Sequence, residues 1–362
     1  MKQVIVGLRE HSYPIYIGQE IIENIGIFLS KNNLNGKCAI ITNPTVNKLY
    51  GDKVRKSLES TGFKTVILEV PDSERSKSLK QAEHLYTELL KNKFDRQSAI
   101  VALGGGVIGD LGGYVAATYM RGICLVQVPT TLLAQVDSAI GGKVAVDLPQ
   151  GKNLIGVFYQ PKFVLSDIKT LETLPINQIQ SGLAEIIKYA IISDKNLFEF
   201  LEKNITKTKQ FNLEVYIKMI RKCSEIKAKV VENDEKEQGQ RRLLNLGHTL
   251  GHALETLTKY NTYSHGEAVS IGMVFAAKLS TNLDLLGEQD YQRIVTLIRS
   301  FGLPISINEN LSVDEILRII QFDKKNRNGK QVFVLPKNLG DFVITDQIPQ
   351  QLLKTELKEM FS

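Results

Sequence analysis

The sequence predicts an α/β domain built on a parallel sheet, followed by a mostly α-helical domain. Short apolar, β-branched runs alternate with segments of helical spacing up to about residue 175, and helical spacing prevails after it. Such alternation is typical of a parallel sheet covered by helices. A chain of 362 residues also exceeds the usual size of a single hydrophobic core. We therefore expect two domains, residues 1–175 and residues 176–362.

Four strands are predicted in the first domain, and each leads directly into a polar or glycine-rich loop. They cover Cys38–Thr42, Thr65–Val70, Ala99–Leu103 and Cys124–Pro129. The segment Ser78–Lys91 between the second and third strands has helical spacing. Ligands of open α/β sheets bind at the carboxyl ends of the parallel strands, so these loops form the expected ligand-binding edge.

Successive amphipathic helices are predicted in the second domain. They cover about residues 176–204, 211–232, 243–260, 264–282 and 287–301, and a short strand is expected at Gln331–Leu335. The polar segment Asn233–Gln240 is too short to tether separate domains.

Composition excludes several classes of protein. A hydrophobic fraction of 43% with 23% charged residues is typical of a globular chain. The most apolar stretch, Ala99–Ala117, is interrupted by glycines and Asp110, so no membrane span is expected. The net charge of +6 comes from Lys and Arg dispersed among acidic residues, which argues against nucleic-acid binding. A pocket that concentrates positive charge for a small anionic substrate explains the excess better.

The cysteines and the N-terminus predict a cytoplasmic protein. Cys38, Cys124 and Cys223 are far apart and show no CxxC or zinc-ribbon spacing, as expected for buried thiols in a reducing compartment. Charged residues follow Val4–Val6 too soon for a secretory signal.

A glycine cluster follows the third predicted strand. Gly104, Gly106 and Gly109 form a GxGxxG string between this strand and a helix that continues through Ala117. Glycines let the backbone approach a pyrophosphate, and a helix N-terminus favours its charge. The string alone also fits a tight turn without a ligand, but the strand-turn-helix context favours a Rossmann-like nucleotide site. The polar segment Asp72–Lys77 is a second anchor, with a carboxylate for ribose and a lysine for phosphate.

Three of the five histidines lie within eighteen residues, at His248, His252 and His265. The first two are four positions apart and share one helix face, while the third opens the next predicted helix. Two histidines and a carboxylate are the usual ligands of a catalytic zinc. Glu185, Glu255 and Glu267 are all candidates for the carboxylate, and His252 is the histidine expected not to bind the metal.

Basic and amide residues recur in stretches too apolar or glycine-rich for ordinary surface. They are Lys143, Lys152, Asn153, Lys188 and Arg241, with Lys188 three residues after Glu185 on the same side of a helix. Together they would suit a substrate that carries both phosphate and carboxylate.

Six motifs resemble those of the 3-dehydroquinate synthase family and occur in its order along nearly the whole chain. They are GGGVIGDLGGYVAATYMRG, PTTLLAQVDSAIGGKVAVDLPQGKNLIGVFYQP, TLPINQIQSGLAEIIKYA, RRLLNLGHTLGHALE, HGEAVSIGM and FDKKNRNGK. The departures are small: Ser73 stands where the family usually has glycine, and Ala139-Ile140 replaces Ser-Val. Neither removes a functional side chain.

The resemblance implies a role for each matching residue. Glu185, His248 and His265 would bind zinc or cobalt. NAD would contact Asp72, Ser73, Glu74, Arg75, Ser76, Lys77, Gly106, Val107, Ile108, Gly109, Asp110, Thr130, Thr131, Lys143, Lys152, Thr170, Leu171, Glu172 and Thr173. The substrate anions would meet Lys143, Lys152, Asn153, Lys188, Lys227, Arg241 and His252, with Asp137 and Glu237 in support and Lys324 or Lys325 as a further ligand. Arg121 would reach into the site of a neighbouring subunit, which implies a homodimer.

The resemblance also implies a lyase of the shikimate pathway, which leads to chorismate and the aromatic amino acids. Its substrate would be 3-deoxy-D-arabino-heptulosonate 7-phosphate and its products 3-dehydroquinate and phosphate. The steps would be transient oxidation by NAD, phosphate elimination, reduction, ring opening and aldol closure. The alternatives are another sugar phosphate cyclase, whose substrates lack the carboxylate, a metal-dependent polyol dehydrogenase, which needs no phosphate pocket, or a non-catalytic binding protein.

Overall fold

The computed structural model describes residues 1–259, 261–321 and 332–361. The chain divides into two compact units. The first contains Met1–Leu174 and Ile220–Lys236, and the second contains Pro175–Met219 and Glu237–Ser362. The sequence assigns residues 220–236 to the second domain, whereas in the structure this segment packs with the first unit. Among the described residues, every helix is too short or too polar to span a bilayer.

The first unit is built on a seven-stranded sheet and a separate two-stranded hairpin. The strands are β1 (Lys2–Val6), β2 (Tyr13–Gly18), β3 (Lys37–Thr42), β4 (Lys64–Glu69), β5 (Ala99–Gly104), β6 (Cys124–Pro129), β7 (Lys143–Leu148), β8 (Gly151–Phe158) and β9 (Phe163–Asp167). The sheet has the order β1-β2-β9-β6-β5-β3-β4, in which only β1 and β2 pair antiparallel. The antiparallel hairpin consists of β7 and β8.

Helices cover both faces of this sheet. They are α1 (Ile25–Lys31), α2 (Pro44–Val46), α3 (Asp52–Glu59), α4 (Leu79–Lys91) and α5 (Gly106–Thr118). Alternate residues of β3 belong to different buried clusters, with Ile41 in one and Ile40 in the other. Successive side chains of a strand point to opposite faces, so a strand buried on both faces is apolar throughout. This explains why β3, β5 and β6 are mostly apolar in sequence.

The second unit is mostly helical, as predicted. Its helices are α6 (Ile176–Ser193), α7 (Lys195–Lys203), α8 (Ile205–Lys209), the first part of α9 (Leu213–Asn233), α10 (His248–Leu257), α11 (His265–Asn282), α12 (Glu288–Ser300), α13 (Val313–Gln321) and α14 (Gln350–Glu359). A hairpin of β10 (Phe333–Asn338) and β11 (Asp341–Thr345) completes the unit. The predicted fold class, an α/β domain followed by a mostly helical domain, is confirmed.

Two of the predicted helices are shorter than expected. The helix predicted at 176–204 is divided at Asp194, whose side chain accepts a hydrogen bond from the Leu197 amide and so caps a new helix. The helix predicted at 243–260 begins only at His248, because Gly247 has a φ of 78° and a 3-10 turn, Gln240–Asn245, precedes it. A left-handed residue cannot continue a right-handed helix.

Candidate active site

The four segments predicted to contact NAD all follow the carboxyl ends of parallel strands. Asp72–Lys77 follows β4, Gly106–Asp110 follows β5, Thr130 and Thr131 follow β6, and the turn containing Thr170–Thr173 follows β9. These strands belong to one sheet, so the segments lie along one edge of it.

Helix α5 begins at this edge with a glycine instead of a capping side chain. Gly105 is the N-cap residue, in extended conformation, so it offers no side chain to the first amides of the helix. A Cβ atom at Gly105 would lie 2.9 Å from the Thr131 side chain, which leaves no room for a larger residue. The first N–H groups of α5 therefore have no side-chain cap at the N-cap position, and such N–H groups at a helix start favour an anion.

Lys77 contacts several residues at this edge. Its ammonium forms an ion pair with Asp110 at 2.5 Å and also contacts the amide oxygen of Asn153, while its side chain is 5% exposed. Its carbonyl oxygen accepts a hydrogen bond from the Asp147 amide at 2.8 Å. Burial opposes the charge of Lys77, yet Asp110 and other carboxylates raise its pKa, so the ammonium stays protonated. Burial raises the pKa of Asp110 in spite of Lys77.

Several predicted substrate residues lie on or beside the β7-β8 hairpin of the first unit. Lys143 opens β7 and is exposed, while Lys152 and Asn153 lie at the start of β8. The Lys152 ammonium is 3.5 Å from a carboxylate oxygen of Glu74. Lys227, from the segment that joins this unit late in the sequence, donates to the carbonyl and carboxylate oxygens of Asp137 at 2.6 and 2.7 Å.

In the second unit, Glu185, His248 and His265 form a cluster. One possible ligand atom from each lies within 4.8 Å of the others. The Nε2 atoms of His248 and His265 are 3.6 and 3.4 Å from Oε1 of Glu185. Two imidazoles and a carboxylate are the donor set of a catalytic zinc site, so these residues fit a divalent metal ion.

Close helix contacts bring these three ligands together. Glu185 lies on α6, and the histidines open α10 and α11. A Cβ atom at Gly266 would lie 2.3 Å from the Ser181 Cα atom of α6, and one at Gly272 would lie 1.9 Å from the carbonyl oxygen of Gly247. Only glycine permits such approach of two backbones.

The three glutamates that were candidates for the metal-binding carboxylate have different contacts in the structure. Glu185 contacts both histidines, whereas Glu255 lies on the far side of His265, 3.6 Å from its Nδ1 atom. Glu267 forms a capping box with Ser264 at the start of α11. Burial would lower the pKa of His265, but hydrogen bonding to Glu185 and Glu255 raises it to about 10. The field at this cluster therefore favours a cation.

The second unit contains four other predicted residues, of which Lys188 and His252 lie near this cluster. Lys188 forms a buried ion pair with Glu185. The ring centroid of His252 is 5.3 Å from that of His248 and 6.5 Å from that of His265. His252 is not one of the three residues whose possible ligand atoms converge, which are Glu185, His248 and His265. Arg241 is 1% exposed, and Glu237 accepts a long hydrogen bond of 3.5 Å from Asn245.

The remaining predicted residues are Arg121 and either Lys324 or Lys325. Arg121 is exposed and follows the C-terminal end of α5, at the opposite end of that helix from Gly106. Lys324 and Lys325 lie outside the described residues.

Sequence reasoning missed two supporting residues, Tyr50 and Asp147. Tyr50 donates to the Thr170 carbonyl oxygen at 3.2 Å and lies 2.6 Å from the Thr173 hydroxyl. Asp147 accepts from the Asn153 amide at 2.7 Å. Tyr50 is 120 positions from Thr170, and a contact so distant leaves no local pattern in a single sequence.

Two family models match the chain. They describe the 3-dehydroquinate synthase N-terminal region, at residues 67–181, and the 3-dehydroquinate synthase C-terminal region, at residues 182–326. A 3-dehydroquinate synthase from Desulforamulus reducens is 48% identical over 350 residues, which cover 97% of this chain and 98% of that protein.

Solved structures of sugar phosphate cyclases resemble the fold. The 2-epi-5-epi-valiolone synthase from Streptomyces hygroscopicus, with NAD⁺ and Zn²⁺ bound, has a TM-score of 0.89 at 26% identity and 98% coverage of each chain. A 2-deoxy-scyllo-inosose synthase complexed with carbaglucose-6-phosphate, NAD⁺ and Co²⁺ has a TM-score of 0.89 at 27% identity and 99% coverage of each chain.

The nucleotide edge, the metal-fitting cluster and these likenesses define an enzyme of the sugar phosphate cyclase class. Within that class, the chain belongs to the 3-dehydroquinate synthase family. It is a phosphorus-oxygen lyase, and the two solved neighbours of the same class hold NAD⁺ with Zn²⁺ or Co²⁺. The resemblance, reaction class and cofactors predicted from the sequence are confirmed.

Proposed function

We propose that Glu185, His248 and His265 bind the divalent metal ion of this enzyme. The observation that most supports this assignment is their convergence within 4.8 Å from three different helices. The ion-pair partner of Glu185 is Lys188, and the partner of His265 on its other nitrogen is Glu255. The three side chains would leave a coordination position of the metal ion open for a substrate hydroxyl.

The metal assignment is tested with the variant Glu185→Gln. The amide is nearly isosteric, but it removes the negative charge that attracts the ion, so we expect loss of stoichiometric metal. Metal content measured by elemental analysis after gel filtration checks this, with Glu267→Gln as the matched control that should retain one ion per chain. A Glu185→Gln protein that also retains one ion would show that another carboxylate binds the metal.

In the first unit, the carboxyl edge of the sheet is assigned to NAD. The amides that open α5 would bind the pyrophosphate, and Asp72–Lys77, Thr130, Thr131 and Thr170–Thr173 would surround the rest of the cofactor. Lys143 and Lys152, which the sequence also assigns to this cofactor, extend from the β7-β8 hairpin. The buried Lys77-Asp110 pair connects this edge to Asn153 on the hairpin.

The bound cofactors supply a reversible hydride acceptor and a Lewis acid. The residues of the chain then have three tasks. Lysines and an arginine neutralise an anionic sugar, and the residues assigned to this task are Lys143, Lys152, Lys188, Lys227 and Arg241. Asn153 orients substrate oxygens, and His252 moves protons. Asp137 and Glu237 hold basic or amide side chains in place.

The substrate assigned to this site is 3-deoxy-D-arabino-heptulosonate 7-phosphate. Its phosphate leaves by elimination and its carboxylate remains, which matches a site with several positive side chains. Phosphate release by the purified enzyme should be rapid with this substrate and negligible with glucose 6-phosphate or sedoheptulose 7-phosphate. No net NADH should accumulate, because the hydride returns. Absence of phosphate release from the heptulosonate would contradict the assignment.

We further propose that the enzyme is a cytoplasmic homodimer. The three cysteines are free thiols, consistent with a reducing compartment. The β8 strand presents exposed apolar side chains at Ile155, Val157 and Phe158, which a second copy would bury. The hairpin also adjoins the Arg121 loop, because the Tyr159 hydroxyl donates to the Ile123 carbonyl oxygen at 2.8 Å.

A further inference from the structure

Both imidazoles of the proposed metal cluster have their second ring nitrogen directed at an oxygen. Nδ1 of His248 is 3.1 Å from the carbonyl oxygen of Leu246, and Nδ1 of His265 is 3.6 Å from Oε1 of Glu255. An imidazole whose Nδ1 proton faces an acceptor keeps the lone pair of Nε2 for a metal. In both rings, Nε2 is the atom nearest to Glu185.

We propose that Glu255 is a positioning residue of the metal centre, which acts on the ion through His265. The inference rests on the proposed ligands Glu185, His248 and His265. Glu255 is 5% exposed and lies on α10, two turns after His248, so the helix that supplies one ligand also orients the other.

Charge explains why a carboxylate fills this position. The ammonium of Lys188 pairs with Glu185 and offsets its negative charge. Glu255 restores a negative charge next to His265, which makes the imidazole a more basic ligand and stabilises a dication nearby. The carbonyl oxygen of Leu246 fixes the tautomer of His248 without adding charge. The two histidines are thus oriented in the same way but differ in ligand strength.

Glu267 provides a control, because it carries the same functional group but lies in the first turn of α11, where it caps that helix. Its carboxylate accepts from the amide and hydroxyl of Ser264 at 2.8 and 2.7 Å and caps α11. A glutamine at this position keeps an acceptor for these bonds, so the variant should preserve both the cap and the metal centre.

The test is metal affinity, measured by competition with a chelator for the purified full-length chain and the variants Glu255→Gln, Glu255→Ala and Glu267→Gln. Loss of an outer partner of a metal-bound histidine weakens binding by about 10–100-fold, which we expect for Glu255→Ala. Glu255→Gln should lie between this value and the wild type, because the amide oxygen still accepts the Nδ1 proton but lacks the charge. Glu267→Gln should match the wild type.

The visible absorption spectrum of the Co²⁺ form gives a second readout. Its ligand-field bands report on the ligands of the bound ion and not on the overall stability of the fold. We expect its ligand-field bands to shift in Glu255→Ala and to stay unchanged in Glu267→Gln. Wild-type affinity and spectrum in Glu255→Gln and Glu255→Ala, together with metal loss in Glu185→Gln, would overturn the role of Glu255 alone. Retention of metal in Glu185→Gln would overturn the proposed metal site and this inference with it.

Discussion

At the scale of single residues, Lys77 and Asp110 form a largely buried ion pair at the nucleotide edge. Lys77 is 5% and Asp110 19% exposed, and the ammonium also contacts Asn153. Breaking a buried pair by removing one partner leaves the other charge without compensation. The variant Lys77→Met should therefore lose about 3–5 kcal/mol of unfolding free energy, measured by urea denaturation near pH 8. Lys80→Met, at an exposed position of α4, should have almost no effect.

The loss in Lys77→Met should depend on pH in a defined direction. Burial raises the pKa of Asp110 in the folded protein, and removal of Lys77 would raise it further. A carboxyl group whose pKa is higher folded than unfolded destabilises the protein above the folded value, and this penalty disappears as the pH falls below the unfolded value. The difference from wild type should thus shrink toward about pH 4.

A second variant separates charge from packing in this pair. In Lys77→Met with Asp110→Asn, no charge is left unpaired, so part of the lost stability should return. If the double variant is as unstable as the sum of the single variants, the two side chains do not interact as the structure indicates.

At the scale of elements, the metal cluster depends on how closely α11 approaches the start of α10. A Cβ atom at Gly272 would lie 1.9 Å from the Gly247 carbonyl oxygen, a backbone atom that cannot rotate away. Gly272→Ala should cost at least about 1–3 kcal/mol by overpacking, and metal affinity should fall because His248 follows Gly247 directly. Thermal unfolding and chelator competition measure the two effects.

Gly287→Ala is the control for this helix crossing. A Cβ atom there meets nothing within 4 Å, so only a small loss at the N-cap of α12 is expected, about 1 kcal/mol or less. Equal stability of the Gly272→Ala and Gly287→Ala proteins would contradict the close approach of the two helices.

The elements that the sequence predicted best are those whose environment is uniform. Strands β3, β5 and β6 are buried on both faces, so their sequences are mostly apolar and are followed by glycine or polar residues. The β7-β8 hairpin was not predicted, because its exposed strand β8 mixes apolar residues with Lys152 and Asn153 in no simple alternation.

The candidate site likewise contains features that the sequence predicted and one that it could not predict. The histidine cluster and the Glu185-Lys188 spacing are local patterns, and the sequence located them by itself. Which of three glutamates contacts both histidines was not decidable from residue types, since the answer depends on the crossing of α6, α10 and α11. Family resemblance selected Glu185, and the structure places it between the two histidines.

At the scale of the whole molecule, the position of Arg121 explains why the active site of a single subunit is expected to be incomplete. Helix α5 has 13 residues, about 20 Å at 1.5 Å per residue, and separates Arg121 from the glycines at its start. Met120, Arg121 and Gly122 all have positive φ, so the loop is a specific, constrained turn rather than a helix end that frays. An arginine held there lies too far along α5 to serve the edge at which that helix begins.

Subunit complementation tests this arrangement. Arg121→Ala and Glu185→Gln should each be nearly inactive alone, because each lacks one part of every active site. In a mixed dimer, the subunit with intact Glu185 would receive intact Arg121 from its partner, while the other site lacks both. Random exchange makes half the dimers mixed, each with one complete site of two, so activity should recover to about one quarter of wild type. No recovery after exchange that mass spectrometry has verified would mean that Arg121 acts within its own chain, or does not act at all.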